Sequence, residues 1–234
     1  AKVATQEANR VAEASREFEV LSWAKFCWAG LAYVRGGPES GLEHSQRCLV
    51  IAEELDNESS RAIAYWGLGT AYLIEAQPRA ACEALGIAIA LIRDRSVQRG
   101  WLPTVMATLA EAHVVLGEPA EAMIAAREAI DLASIGGNRY PEVLAQIALA
   151  DTLLLTEGEV PRAELESALE RADDLIEAIA AGSLTPRLVE MRGRVASALG
   201  DAPASDRKLH EALDLYRAIG ATGHAERLAR ELGV

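Results

Sequence analysis

Residues 58–94 read ESSRAIAYWGLGTAYLIEAQPRAACEALGIAIALIRD, and this stretch decides the fold. Its first half places a small residue, Gly69, three positions before an aromatic residue, Tyr72. After a break at Pro78, the second half carries a small, a large and a small apolar residue in one helical stripe: Ala81, Leu85 and Ala88. Residues three and four apart share one face of a helix, and proline suits a first helical turn. The stretch therefore predicts two amphipathic helices that approach each other through small side chains.

The same pattern returns along the whole chain of 234 residues. Small residues in the middle of predicted helices recur at spacings of 39, 41, 40 and 43: Gly30, Gly69, Ala110, Ala150 and Gly193. A period between 20 and 50 residues indicates a repeat protein, and no segment alternates with the period of a strand. We expect an all-α fold in one domain of residues 1–234, with five helix pairs: 15–55, 58–94, 97–135, 139–181 and 184–219. A helix over 2–13 and a C-terminal cap over 222–234 complete it, and the first and fourth pairs fit only with a slip of one residue.

Composition and charge exclude several classes of protein. No stretch approaches 18 uncharged apolar residues, so no transmembrane helix is predicted. Three cysteines are too few for a disulfide framework and favour a cytoplasmic location. The net charge of −12 is concentrated in residues 111–177, which hold 15 acidic and 4 basic residues. Without a basic stripe, the chain is predicted to bind neither nucleic acid directly nor a membrane.

Motifs that carry catalysis or hold a cofactor are absent from the sequence. It contains no phosphate-binding loop, no HExxH and no CxxC, and its four histidines are scattered over different repeats. No nucleophile stands beside a base in any recognisable pattern. The sequence therefore predicts a protein that is not an enzyme, with no catalytic residues, no cofactor and no metal site.

The repeat resembles the tetratricopeptide repeat (TPR), with the best match at Gly69, Tyr72, Ala81, Leu85 and Ala88. The resemblance covers essentially the whole chain, although its period near 40 departs from the family's 34. Helices of this length look like the C-terminal TPR tails of large bacterial signalling ATPases, such as maltose-regulator or LuxR-type transcription activators and cyclases with an AAA-type module. The resemblance implies a right-handed α-solenoid, and it implies that the chain is a C-terminal fragment of a larger protein.

The resemblance also implies which side chains line the concave wall, built from the first helix of each pair. By repeat position, the predicted partner-binding residues are Trp66, Thr70, Leu73, Ala107, Glu111, Val114, Ile147, Asp151, Glu190 and Arg194. We expect this groove to bind a peptide or helix segment with a few basic residues, in cis or in trans. Binding would be coupled to an attached signalling or transcription-regulator module. Trp28 and Trp66 fit the core stripe least well, which makes both candidate contact residues.

Two alternatives to peptide binding stay open. The resemblance implies a sensor of a small-molecule inducer, because maltose-regulator-type tails bind inducers. An apolar pocket for an inducer is expected near Trp66, Thr70, Thr104 and Glu111. The other alternative is self-association into a homo-oligomer through apolar residues of the first helix, such as Val3 and Val11.

Overall fold

The computed structural model describes residues 2–15, 18–37, 41–97, 99–156 and 161–234. These residues form twelve α helices and two 3₁₀ helices, Arg99–Trp101 and Gly182–Leu184, and they contain no strand. The α helices are α1 (Lys2–Ser15), α2 (Phe18–Arg35), α3 (Gly41–Glu54), α4 (Glu58–Ile74), α5 (Pro78–Asp94), α6 (Leu102–Leu116), α7 (Pro119–Gly136), α8 (Arg139–Leu155), α9 (Arg162–Ala178), α10 (Thr185–Ala198), α11 (Ala202–Ala218) and α12 (Thr222–Leu232). The prediction of an all-α fold is confirmed.

The helices begin and end at the turn residues that predict them. Asn57 caps α4, because its side-chain oxygen accepts a hydrogen bond from the Ser60 amide at 2.9 Å. Pro78 opens α5, where no backbone donor is needed. Gly137 ends α7 at a φ of +64°, in the left-handed region that glycine adopts without strain. Of the predicted breaks between paired helices, residues 38 and 158–160 lie outside the described residues.

One helix starts later than expected. The sequence predicts a helix over 97–116, whereas α6 begins at Leu102, after the 3₁₀ helix. Pro103 lacks a backbone donor and is tolerated only in the first turn of a helix, so α6 starts immediately before it.

The chain divides into two compact units, unit 1 (Ala1–Val105) and unit 2 (Met106–Val234). In unit 1, α2 packs on α1, α3 and α4, and α4 packs on α5. In unit 2, α8 packs on α7, α9 and α10, and α11 packs on α10 and α12. This sequential packing is consistent with an all-α solenoid. The single domain, the right-handed superhelix and the TPR form stay predictions.

The first helices of successive pairs touch each other within each unit. These A helices are α2, α4, α6, α8 and α10, and the contacts α2–α4 and α8–α10 join neighbouring members. In each unit, the side chains of these helices that lie away from the second helices form what we call the A-helix face of that unit. In unit 2 the central A helix is deeply embedded, since every residue from Pro141 to Ala150 of α8 is buried.

Small residues of the repeat make room for a leucine sixteen positions later. A Cβ at Gly69 would overlap the side chain of Leu85, which is fully buried. In unit 2, a Cβ at Gly193 would lie 2.8 Å from Cδ2 of Leu209. Glycine at these two places therefore sets how closely the paired helices approach.

In the first pair, the predicted position of the small residue is wrong. A Cβ at Gly30 would meet no atom within 4 Å, whereas Ala29 is completely buried. Ala29 lies sixteen residues before Ser45, which is also buried, and thus repeats the spacing seen at Gly69. The pair is offset by one residue, and every side chain that α2 presents on the A-helix face shifts with it.

Candidate functional site

The A-helix face of unit 1 carries a cluster of four aromatic rings. This aromatic cluster consists of Trp23, Phe26, Trp66 and Trp101. The ring centroids of Phe26 and Trp66 lie 4.6 Å apart, and those of Trp66 and Trp101 lie 5.0 Å apart. Trp23 completes the cluster at 4.8 Å from Trp101. All four residues keep part of their surface exposed, so the cluster is an apolar patch rather than a closed core.

The offset of the first pair explains how the cluster forms. With Ala29 as the small residue, Trp23 and Phe26 take the face positions on α2, and Trp66 takes the corresponding position on α4. Gly67 leaves space beneath the Phe26 ring, because a Cβ there would lie 3.3 Å from Cδ2 of that ring.

Trp28 lies elsewhere. It is buried and stacks on the ring of His44 with centroids 4.8 Å apart. Its prediction as a candidate contact residue is therefore wrong, because its indole is part of the packing between α2 and α3.

The A-helix face of unit 2 carries a network of charged side chains. This charge network consists of Glu111, Asp151, Arg187, Glu190, Arg194, Arg227 and Glu231. Nη2 of Arg187 on α10 contacts Oε1 of Glu111 on α6 at 2.6 Å. Glu190 is buried, and its oxygens accept hydrogen bonds from Arg194 at 2.9 Å and from Arg227 at 2.7 Å.

Residues of α11 and α12 contact Glu190 and Arg194 of the network. The hydroxyl of Tyr216 donates a hydrogen bond of 2.9 Å to Oε2 of Glu190. Arg194 also contacts Glu231 at 3.0 Å. Burial raises the pKa of Glu190, but Arg227 and Arg194 outweigh it, and the pKa is lowered overall. Glu190 is thus held as a charged acceptor at the centre of three donors.

Asp151 differs from the other carboxylates of the network. Four charged groups lie near it, namely Glu111, Arg187, Glu190 and Arg194, but no described residue donates a hydrogen bond to it or forms an ion pair with it. Burial raises its pKa from 3.8 to about 7; Arg187 opposes this rise and Glu111 adds to it. Part of the residue nevertheless stays accessible. The carboxyl is therefore surrounded by protein atoms and still open on one side.

The structure brings together four of the predicted site residues and separates the others. Glu111, Asp151, Glu190 and Arg194 belong to the charge network of unit 2. In unit 1, Trp66 joins the aromatic cluster and Leu73 on α4 is partly exposed, and in unit 2 Val114 on α6 is partly exposed. The remaining three predicted site residues are buried: Thr70, Ala107 and Ile147. Packing covers these side chains, and the Thr70 hydroxyl, for example, donates to the carbonyl of Trp66 at 3.0 Å. Their role as contact residues stays a prediction.

Sequence reasoning missed several members of both groups. Trp23 and Phe26 were placed off the face by the offset of the first pair, and Trp101 precedes the repeat register of α6. Arg227 and Glu231 come from α12, which the sequence indicates only as a cap. Position in the repeat places Arg187 on the face, but it gives no sign that this side chain pairs with Glu111, 76 residues away.

Among the described residues, no group of three or more histidine, cysteine, aspartate or glutamate side chains is placed to hold a metal ion. None of the described helices has both the length and the apolar character needed to cross a membrane. The chain matches no protein-family model, and no curated protein has a significantly similar sequence.

Proposed function

We propose that the chain is a non-enzymatic interaction module whose A-helix face binds a peptide or helix segment. The observation that carries this proposal is the aromatic cluster of unit 1, whose four rings remain partly exposed. Tryptophan is enriched among the residues that dominate binding energy at protein interfaces. The segment fits best if it carries an apolar anchor for this cluster and a few basic residues, because the chain has a net charge of −12.

The module would act as a sensor that couples binding, in cis or in trans, to an attached signalling or transcription-regulator domain. Stacked helix pairs contact mainly their neighbours, so a bound segment that bridges pairs shifts the population toward one curvature. We further propose that it works in the cytoplasm, which its three cysteines favour because none of them forms a disulfide.

Selection of random peptides displayed on phage, followed by NMR of the tryptophan indoles, tests the proposal. The chain has four tryptophans, of which three belong to the aromatic cluster and the buried Trp28 is an internal control. A selected peptide should shift the indole N–H signals of Trp23, Trp66 and Trp101 and leave that of Trp28 in place. Trp66→Ala should weaken binding by about 2 kcal/mol, or roughly thirtyfold.

Truncation of Ile135, an exposed residue at the end of α7, is the matched control outside the face. Ile135→Ala should bind as the parent chain does. Far-ultraviolet circular dichroism verifies that both variants stay helical. Peptides that bind without moving any indole signal of the cluster would refute the proposed site.

Self-association is a second candidate that one observation favours. Val3 and Val11 of α1 lie about two helical turns apart and are 78% and 48% exposed. Sedimentation velocity between micromolar and submillimolar concentration should then show a mass that rises with concentration, and Val11→Asp should abolish the rise. The inducer-sensor alternative stays a prediction that a ligand-dependent rise in melting temperature would support.

A further inference from the structure

We propose that Asp151 anchors a binding site for one organic cation, a primary ammonium or a guanidinium group, between the Glu111–Arg187 and Glu190–Arg194 ion pairs of unit 2. A lysine or arginine side chain of a bound segment, or a free small amine, carries this chemistry. The inference deepens the proposed function by naming the ligand chemistry of the A-helix face of unit 2. It rests on that face being a binding surface, but its observations come from unit 2 alone.

The geometry leaves Asp151 as the one network carboxylate with no donor among the described residues. Glu111 accepts a hydrogen bond from Arg187, and Glu190 accepts hydrogen bonds from Arg194, Arg227 and the Tyr216 hydroxyl. Glu231 contacts Arg194 and Arg227. The Asp151 carboxyl is surrounded by protein on most sides and still open on one, so a ligand that approaches from the open side can bring the donor that it lacks.

The neighbouring guanidinium groups are not free to serve Asp151. Arg187 is held by Glu111 at 2.6 Å, and Arg194 is held by both Glu190 and Glu231. If Arg187 swung toward Asp151, it would give up its 2.6 Å contact with the buried Glu111, and if Arg194 did so, it would give up its contacts with Glu190 and Glu231. The donor must therefore come from outside the network.

The charge balance of the network decides whether the ligand is a cation or an anion. The network sets four carboxylates, Asp151 included, against three guanidinium groups, so one negative charge is unmatched when Asp151 is ionised. An anion would meet guanidinium groups that are already engaged and carboxylates that repel it. One monovalent cation completes the balance.

A directional organic cation fits better than a metal ion. Calcium takes six to eight oxygen ligands, and zinc takes three or four side chains in a fixed geometry. No group of three or more histidine, cysteine, aspartate or glutamate side chains among the described residues is placed to do this. An ammonium or guanidinium group needs only one or two acceptor atoms and hydrogen-bonds strongly to a single carboxylate.

The protonation of Asp151 adds support and predicts how binding depends on pH. Its pKa of about 7 means that the empty site takes up a proton near neutral pH and so removes the unmatched charge. The charged groups that face it are Glu111 on α6 and Arg187, Glu190 and Arg194 on α10. A cation binds the ionised carboxyl, so binding releases that proton to the solvent and strengthens as the pH rises.

The first arm of the test uses free cations and carboxyl NMR. The chain is labelled with carbon-13 at the aspartate γ-carboxyl, and Asp151→Asn identifies the Asp151 signal by its loss. n-Butylammonium or methylguanidinium chloride should lower the midpoint at which this signal titrates, whereas n-butanol should leave it unchanged. Asp131→Asn, on an exposed residue of α7, controls for the substitution itself.

The second arm uses the peptides selected for binding to the chain. Replacing the lysine of a selected peptide by norleucine should weaken binding to the parent chain about ten- to hundredfold. The same replacement should make no difference to the Asp151→Asn chain. Affinity of the parent chain for the lysine peptide should fall about tenfold from pH 8 to pH 6, and affinity of Asp151→Asn should stay level.

The outcomes separate the two sources of the cation and the two proposals. If free amines shift the Asp151 titration but the lysine-to-norleucine replacement does not depend on Asp151, the site binds a small amine. If the effect of that replacement does depend on Asp151, the site binds a lysine side chain of the peptide. If peptides shift the cluster tryptophans but neither arm involves Asp151, this inference is overturned and the proposed function stands. If amines shift Asp151 but no peptide moves the cluster, the proposed function fails instead. If neither arm shows a response at Asp151, the cation site does not exist.

Discussion

Replacing Asp151 with asparagine is expected to stabilise unit 2, and to do so more strongly as the pH rises. Burial raises the pKa of this carboxyl from 3.8 to about 7 in the folded chain, although Arg187 opposes the rise. Between these two values the folded chain binds a proton that the unfolded chain has released. Stability is therefore lost as the pH rises from about 4 to 7, and the loss is complete above the folded pKa.

The size of the effect follows from the two pKa values. A difference of about three pH units corresponds to roughly 4 kcal/mol at about 1.4 kcal/mol per unit. Part of this loss is already present at pH 5. The advantage of Asp151→Asn over the parent chain should therefore grow by about 1 to 3 kcal/mol between pH 5 and pH 8. Asparagine keeps the volume of the side chain, and its own hydrogen-bonding requirement is the same at both pH values.

Urea unfolding followed by circular dichroism at both pH values measures this difference. Because the parent chain and the variant are compared at the same pH, the titration of all other groups cancels. Asp131→Asn, on the exposed surface of α7, should stay within about 0.5 kcal/mol of the parent chain at both pH values. The reasoning would be refuted if the gain in unfolding free energy of Asp151→Asn were the same at pH 5 and pH 8, or if it became a loss at pH 8. Either result would mean that a cation of the folded chain already pairs with Asp151.

Two further substitutions test the packing of the repeat and the centre of the charge network. Gly69→Ala should destabilise the chain by about 1 to 2 kcal/mol, because the new methyl group overlaps Leu85, whereas Gly30→Ala, with open space around it, should stabilise it by up to about 1 kcal/mol. Thermal unfolding of both variants measures this, and equal effects would contradict the offset of the first pair. Glu190→Gln should destabilise unit 2 by about 1 to 3 kcal/mol at pH 7, because two arginines lose a charged acceptor. Since the pKa of Glu190 is lowered in the folded chain, its stabilisation is present above about 4.5 and disappears as the pH falls, so urea midpoints of parent and variant should converge toward pH 3.

The helices and the period could be predicted because both depend on local signals. Asn57, Pro78 and Gly137 act on the backbone next to them, and their effects need no knowledge of the tertiary fold. The offset of the first pair could not be predicted in the same way. Ala29 and Gly30 are both small, and only the packing of α2 against its neighbours shows that Ala29 is the covered residue.

The sequence predicts which helices carry the residues of the candidate site, but it does not predict which of these residues form ion pairs. Repeat spacing places Glu111, Asp151 and Glu190 on A helices, and the structure puts all three in one network. Repeat spacing does not reveal which carboxylate is paired with an arginine, because the long arginine side chain reaches partners that are distant in sequence. Arg227, for example, contacts a glutamate 37 residues earlier from the helix that caps the chain.

Ionisation of the Asp151 carboxyl and ionisation of Glu190 have opposite effects on the stability of the folded chain. Glu190 stabilises the folded chain at neutral pH, since three donors compensate its burial. Asp151 on α8 has no hydrogen-bond donor that compensates its burial, so at neutral pH its ionisation opposes folding. A protein keeps a destabilising buried group most readily where function needs it, because stability alone would replace that group with a neutral one. The stability measurement therefore gives the free energy that the folded chain loses when Asp151 ionises without a cation, and the cation titration shows whether a bound cation offsets that loss.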